Sequence, residues 1–176
     1  MSKKNNKLLK ADYIRYSALN KMPKFQKWMR KYQDTNNVLL KNIYKVLFVY
    51  HRKRNCVEIS ADSDIGGGLY IGHPYCITVN PQSIIGENCN IHKGVTIGQE
   101  NRGTRKGVPI IGNRVWIGVN ATVIGKITIG NDVLIAPNSY VNFDVPSHSI
   151  VMGNPGNVIF RENATEGYIN NLYYND

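Results

Sequence analysis

A six-residue repeat of β-branched residues constrains the fold of this chain more than any other feature. Neither an α-helix, with a period of 3.6, nor a β-strand, with a period of 2, keeps a period of six for long. A coil in which each hexad forms a short strand and a turn does keep it, and it stacks the aliphatic side chains in interior columns. We therefore predict a mainly β fold, a parallel β-helix. The repeated positions are Ile59, Ile65, Ile71, Ile77, Ile85, Ile91, Ile97, Ile111, Ile117, Val123, Ile129, Ile135 and Val141.

A second position of each hexad, four residues after the aliphatic one, is also mostly small or apolar. This pattern predicts two inward-facing sites in each six-residue unit. The second column consists of Leu69, Cys89, Val95, Val115, Ala121, Ile127, Val133, Ser139 and Val145.

Two interruptions of the repeat divide it into three runs. Two extra residues enter around Asn80 to Ser83, and a longer insertion lies between Ile97 and Ile111. Residues 99–109 are rich in Gly, Asn, Arg and Lys, which predicts a loop extruded from one corner of the coil. Because loops on rigid scaffolds often hold substrate, this loop is a candidate wall of a binding site.

The first third of the chain lacks the six-residue period and has helical composition. We predict helices over Lys7 to Leu19, Lys24 to Tyr32 and Val38 to Arg54. The third helix carries an apolar stripe, which we interpret as a packing surface, with a membrane anchor as the alternative. The predicted organisation is a basic helical region at 1–54, a β-helix domain at 55–160 with the extruded loop 99–109, and a C-terminal tail at 161–176.

Positive charge is concentrated in the helical region. Residues 1–54 hold 15 Lys and Arg against 2 Asp, whereas the rest of the chain holds 7 against 10 acidic residues. Such an arm is expected to contact an anionic membrane or an acidic polysaccharide, with a solvated helical surface as the alternative. Nucleic acid is not the expected partner, because no recognition motif is present and the aromatic residues are not interleaved on strands.

The three cysteines and the beginning of the chain bear on its compartment. Cys56, Cys76 and Cys89 have neither a paired spacing nor a nearby pair of histidines, so we predict reduced thiols rather than disulfides or a zinc site. No signal peptide or membrane-spanning segment is recognisable in the sequence. We therefore expect a cytoplasmic protein, with the inner face of the membrane as a location for its basic arm.

From Glu58 to Pro155 the chain resembles the hexapeptide-repeat acyltransferases, and within them the serine acetyltransferase branch. The resemblance implies a left-handed parallel β-helix of hexapeptide repeats. It is carried by five segments together: residues 68–73 (GLYIGH), 94–98 (GVTIG), 115–118 (VWIG), 144–146 (DVP) and 153–155 (GNP).

This resemblance implies transfer of an acetyl group from acetyl-CoA to a hydroxyl, without a metal. His73 matches the catalytic base of the family, and Glu58, fifteen residues earlier, matches the carboxylate that pairs with it. The other three histidines, His51, His92 and His148, are taken as non-catalytic.

The same resemblance implies a homotrimer, because CoA lies in the groove between adjacent subunits of the family. The positions that match the CoA groove are Gly98, Gly118, Ala121 and Pro137, with Lys126 as a candidate phosphate contact and Arg161 as a second.

Three departures from the serine acetyltransferase pattern bear on the acceptor. Gly72 stands where the family has an Asp before the catalytic His, and Gly107 and Val108 stand where it has an Arg-His pair before a Pro. The chain also ends in Asp176 rather than in the Ile that the family offers to its sulfhydrylase partner. We therefore expect a sugar hydroxyl as acceptor, in capsular or exopolysaccharide synthesis. The alternatives are a serine O-acetyltransferase of cysteine biosynthesis and a catalytically inert β-helix scaffold.

Overall fold

The computed structural model describes residues 7–16 and 22–174, which form three helices followed by a parallel β-solenoid. The helices are α1 (Lys7–Arg15), α2 (Lys24–Asp34) and α3 (Val38–Arg54). The strands are β1 (Asp64–Ile65), β2 (Tyr70–Gly72), β3 (Thr78–Val79), β4 (Ile84–Ile85), β5 (Asn90–His92), β6 (Thr96–Gly98), β7 (Ile110–Ile111), β8 (Val115–Ile117), β9 (Thr122–Ile124), β10 (Thr128–Ile129), β11 (Val133–Ile135), β12 (Tyr140–Val141), β13 (Ser149–Met152) and β14 (Asn157–Phe160).

Three sheets form the sides of the solenoid, and each turn of the chain contributes one strand to each sheet. Sheet 1 has the order β1-β4-β7-β10, sheet 2 the order β2-β5-β8-β11-β13-β14, and sheet 3 the order β3-β6-β9-β12. All pairs are parallel except β13 with β14. Backbone hydrogen bonds therefore run between turns, and the predicted mainly β fold with a helical N-terminal region is confirmed.

The interior consists of the two columns that the repeat predicts. All thirteen aliphatic positions of the hexads are buried, and so are the nine positions of the second column. Even Ser139, the one hydroxyl in that column, is 1% exposed, and its Oγ donates to the carbonyl of Val151. The six-residue period therefore predicted the core correctly.

The extruded loop leaves the solenoid between sheet 3 and sheet 1. It closes as a short antiparallel hairpin, in which Glu100 and Gly107 exchange two backbone hydrogen bonds of 3.0 Å. Residues 101–106 at its tip are exposed. This agrees with the predicted loop at 99–109.

Polar side chains attach the N-terminal helices to sheet 2. Arg30 on α2 pairs with Asp12 on α1 at 2.7 Å, and both side chains are fully buried. Arg30 also donates to the carbonyls of Ile65 and Gly66, and Asp12 accepts from the backbone of Leu69. The helices and the solenoid therefore share one buried network, and we name these residues the N-terminal clamp. The predicted end of the first helix, Leu19, lies outside the described residues.

Helix α3 packs through one edge of its predicted apolar stripe, at Tyr44, and most of the stripe stays exposed. Phe48 is buried, and Tyr44 stacks on Trp28 of α2 at 5.8 Å between ring centroids. The apolar stripe that was expected to pack is largely exposed in the single chain, because Trp28 and Phe48 orient the helix by contacts that periodicity cannot reveal. The exposed residues are Val38, Leu39, Leu40, Ile43, Val46 and Tyr50. Within the described residues, no helix is long and apolar enough to cross a membrane.

The C-terminal tail lies against the later strands of sheet 2. The Asp132 carboxylate accepts hydrogen bonds from the backbone amides of Ala164 and Thr165 and from the Thr165 hydroxyl at 2.6 Å. It also pairs with His148 at 2.9 Å. We name these four residues the C-terminal clamp. Burial alone would raise the pKa of Asp132, but the hydrogen bonds from Thr165, His148 and Ala164 outweigh it and hold that pKa below its usual value.

Candidate active site

His73 occupies the first turn between sheet 2 and sheet 3, where β2 ends and β3 has not yet begun. The His73 corner, residues 73–77, holds His73 itself in the left-handed region at φ 55°. A non-glycine residue in this region is uncommon and is kept there by its surroundings. Its imidazole is exposed.

Backbone contacts from the end of α3 hold this corner in place. The side-chain amide of Asn55, the residue that caps α3, donates to the carbonyl of Pro74 at 2.8 Å, and the carbonyl of Asn55 accepts from Cys76 at 3.1 Å. Within the corner, the amide of Tyr75 donates to the carbonyl of His73 at 2.7 Å. The position of the candidate base therefore depends on α3 as well as on the repeat.

A cavity of about 230 Å³, the His73 cavity, opens beside this corner. Its polar side chains come from two successive turns of the solenoid, because His73 follows β2 and His92 ends β5. Tyr16, directly after α1, and Pro23, directly before α2, cover one side of it. The lining residues are Tyr16, Pro23, Tyr70, Ile71, Gly72, His73, Pro74 and His92.

His92 is a member of this cavity that sequence reasoning set aside. Burial, and then the neighbouring His73, lower the pKa of His92 to about 4, so its ring is neutral near pH 7. Its ring packs on Trp116 at 4.7 Å between centroids, and its Nε2 is buried with no hydrogen-bond partner in the described chain. The sequence signal that could have found His92 is its position in the repeat, because Gly72 and His92 are in register on adjacent strands. The insertion at 80–83 obscures this register in the sequence.

The same geometry explains why residue 72 is a glycine. A Cβ added to Gly72 would lie 2.5 Å from Nδ1 and 2.6 Å from Cε1 of His92, which is closer than atoms can approach. An aspartate at this position, as in the resembling family, therefore requires the His92 ring to move.

Glu58 lies in a different depression from His73. It forms an isolated parallel bridge with Thr78 and lines a cleft between α3 and sheet 3, which also contains Arg52, Gly98 and Gln99. The described part of the chain contains no hydrogen bond or ion pair between Glu58 and His73. Their predicted pairing therefore stays a prediction for the assembled protein.

The predicted CoA residues fall into two places. Gly118 and Pro137 lie on the same edge of the solenoid as His73, on later turns, where a Cβ on Gly118 would meet the backbone nitrogen of Pro137 at 2.6 Å. Gly98 lies in the α3 cleft, and Lys126 is exposed at the base of the extruded loop. Ala121 points into the core and is fully buried. Gly118 is buried, and the absence of its side chain allows two successive turns to stack closely at this edge.

Arg161, the second candidate phosphate contact, lines a separate cavity of sheet 2 under the C-terminal tail, together with Trp116 and Tyr168. The remaining histidines have other surroundings, since His148 pairs with Asp132 and His51 lies on α3. No group of three or more metal-ligating side chains is close enough to hold an ion among residues 7–16 and 22–174.

Comparisons with known proteins agree with the repeat. The family described as bacterial transferase hexapeptide (six repeats) matches residues 109–142. Over 105 residues the chain is 39% identical to a serine acetyltransferase of Synechococcus elongatus, which covers 60% of this chain and 43% of the relative. The chain thus spans about half the length of the curated relatives it matches.

Solved structures extend the similarity to three dimensions. A Neisseria gonorrhoeae serine acetyltransferase in complex with serine superposes with a TM-score of 0.66 at 28% identity, over 86% of this chain and 66% of the other. A Brucella abortus serine acetyltransferase in complex with coenzyme A gives a TM-score of 0.63 at 25% identity, over 78% and 54%. Together these matches confirm the resemblance to the serine acetyltransferase-like branch of left-handed β-helix proteins.

Proposed function

Because the chain belongs with the hexapeptide-repeat proteins of the serine acetyltransferase-like branch, we propose that it is an acetyl-CoA-dependent O-acetyltransferase. One observation carries this proposal: His73 stands at a corner of the solenoid, beside a cavity, on the same edge as the close approach of Gly118 to Pro137. The similarity to enzymes whose structures contain serine or coenzyme A supports it.

In the proposed reaction, neutral His73 accepts the proton of the acceptor hydroxyl as its oxygen attacks the thioester carbonyl of acetyl-CoA. A tetrahedral intermediate forms, the carbon–sulfur bond breaks, and the imidazolium returns its proton to the departing CoA thiolate. The products are an acetyl ester and free CoA. The role of Glu58 is to orient and stabilise the imidazolium, in the arrangement that the assembled protein is proposed to adopt.

We propose L-serine as the acceptor, because the curated relatives and the solved neighbours are serine acetyltransferases. This choice replaces the saccharide that the sequence departures favoured. A saccharide hydroxyl is the second candidate, and Gly72 favours it, since a serine ammonium loses the charge partner that the resembling family has at this position.

The test is release of CoA thiol from acetyl-CoA, measured with L-serine and with a panel of neutral hexosides. We expect turnover with L-serine, and at least a hundredfold loss of kcat in His73→Ala, the usual scale for a general base. His51→Ala is the matched control, because His51 lies on α3 away from the cavity. Turnover with hexosides alone selects the saccharide, and no turnover with either acceptor class supports the inert scaffold.

A homotrimer is part of the proposal, since a CoA groove between subunits needs a second chain. Light scattering of the purified protein is expected to give three times the mass of 19.9 kDa.

We further propose that the protein is cytoplasmic and that α3, with exposed Leu39, Ile43 and Val46 beside its basic residues, contacts an anionic membrane or acidic polysaccharide. Cosedimentation with vesicles containing phosphatidylglycerol, compared with neutral vesicles, tests the membrane contact.

A further inference from the structure

We propose that His92 is the residue of the His73 cavity that recognises the acceptor substrate. The substrate group next to the reacting hydroxyl donates a hydrogen bond to His92 Nδ1. In L-serine that group is the ammonium, and in a saccharide it is the neighbouring hydroxyl. This inference rests on the proposed function and names the specificity-determining contact of the same site.

The first argument is location. His92 and His73 line one cavity from adjacent turns, and the Nδ1–Cε1 edge of the His92 ring lies over Gly72, the residue directly before His73. An acceptor whose hydroxyl reaches His73 therefore brings the atoms beside that hydroxyl to this edge. Gly72 leaves the edge uncovered because it has no side chain.

The second argument is that the ring has unused hydrogen-bonding capacity. Within the part of the chain that the structure describes, neither nitrogen of His92 has a hydrogen-bond partner, and Nε2 is fully buried. Nδ1 lies beside Gly72, which lines the cavity, so this nitrogen is available to a bound ligand. The neighbouring hydroxyl of Tyr16 is already used, since it donates to Gln26 and accepts from Ile71.

The third argument is the protonation state. Burial keeps the His92 ring neutral near pH 7, so it carries one N–H and one free lone pair. Of the two ring nitrogens, Nδ1 is the one beside Gly72, whereas Nε2 is buried without a partner among the described residues. We therefore assign the lone pair to Nδ1, the nitrogen on the Gly72 side, which accepts from the substrate.

The experiment compares acceptors that differ only in the recognised group. With the wild-type protein, L-serine is compared with β-hydroxypropionate, which lacks the amino group, and a neutral methyl hexoside is compared with its monodeoxy analogues. In His92→Leu we expect the KM for the active acceptor to rise about tenfold, while the KM for acetyl-CoA stays within about twofold. The analogue without the donor should be unaffected by the substitution.

Two further variants keep the test decisive if His92→Leu folds poorly. His92→Gln retains a polar acceptor and is expected to recover part of the lost affinity, whereas Gly72→Ala displaces the ring without removing it and should raise the acceptor KM. His51→Leu is the matched histidine control. If the wild type is active and His92→Leu leaves the acceptor KM unchanged, or raises both KM values equally, the inference is wrong. Absence of wild-type acetyl transfer instead refutes the proposed function, so the two failures are distinguishable.

Discussion

Sheet 2 carries two polar attachments, and they differ in how they use charge. The N-terminal clamp is a fully buried ion pair, Asp12 with Arg30, that joins two helices to the first turns. The C-terminal clamp is a single carboxylate, Asp132, that gathers hydrogen bonds from the tail and from a half-exposed His148. A charge pair thus supports the end of the solenoid where Tyr16 and Pro23, which flank α1 and α2, line the His73 cavity, and hydrogen bonds to one carboxylate hold the other end.

The largest expected effect comes from breaking the N-terminal clamp. Arg30→Met leaves Asp12 buried without its partner, and breaking a buried pair in this way costs about 3–5 kcal/mol. Urea unfolding monitored by circular dichroism measures the loss, with exposed Lys24→Met as a control that should stay within about 0.5 kcal/mol. Because Tyr16 and Pro23 line the His73 cavity, the variant should also raise the acceptor KM. An unchanged unfolding midpoint would contradict the importance assigned to the ion pair.

Breaking the C-terminal clamp should have a smaller and more local effect. Asp132→Ala removes the acceptor for Ala164 and Thr165, and the expected cost is about 1–3 kcal/mol. Hydrogen exchange should speed up for residues 163–169, and Trp116 fluorescence should change because Tyr168 contacts its ring at 5.2 Å. The acceptor KM should not change. A rise equal to that of Arg30→Met would remove the distinction between the two ends.

The two ends should also respond to different ranges of pH. His92, at the functional end, has its pKa lowered to about 4, below the unfolded value of about 6.5. Between these values the unfolded chain binds the additional proton, so stability falls as the pH decreases from about 6.5 toward 4. The pKa of Asp132 is also lowered, so its contribution is present above the unfolded value of about 3.9 and is lost as the pH falls through its folded pKa.

Urea midpoints between pH 7 and 4.5 separate these two contributions, because the contribution of His92 changes in that range and that of Asp132 changes mainly below it. The slope of stability against pH should flatten in His92→Leu and remain in Asp132→Ala. Equal slopes in the wild type and His92→Leu would show that His92 is not held neutral.

The smallest expected effect is that of His148→Gln. His148 is partly exposed, and its bond to Asp132 is one of several that the carboxylate accepts. The expected loss is about 0.2–1 kcal/mol, the usual range for an exposed pair. Chemical denaturation at pH 7 measures it, and a loss as large as that of Asp132→Ala would mean that the histidine, rather than the tail, dominates the clamp.

Much of the fold could be predicted because the repeat records which side chains face inward. The hexads from Ile59 to Val141 identified both interior columns, the interruption at 99–109 identified the hairpin, and helix α3 matches its predicted bounds. The face by which α3 packs could not be predicted, because its exposed apolar stripe looks like a packing surface in one dimension. Hydrophobic periodicity shows that a helix has an apolar face. Which side of the helix packs on the rest of the protein depends on its partner, here Trp28.

The candidate site was predicted only in part. His73 could be found from the residues around it, whereas His92 could not, because its role depends on register with Gly72 across an insertion. Glu58 shows the opposite limit. Its match to the carboxylate position of the resembling family predicts a pair with His73, yet the two residues line different depressions of the single chain.

By itself, the sequence determined the six-residue period, and with it the core and the three-sided solenoid, because burying an aliphatic residue every six positions is possible only when short strands stack in register. Only the tertiary structure decided what attaches to the outside of the solenoid and what meets at its corner. The Asp12–Arg30 ion pair and the close approach of His92 to Gly72 depend on distances between residues that are separated in the chain. A six-residue period carries no information about such distances.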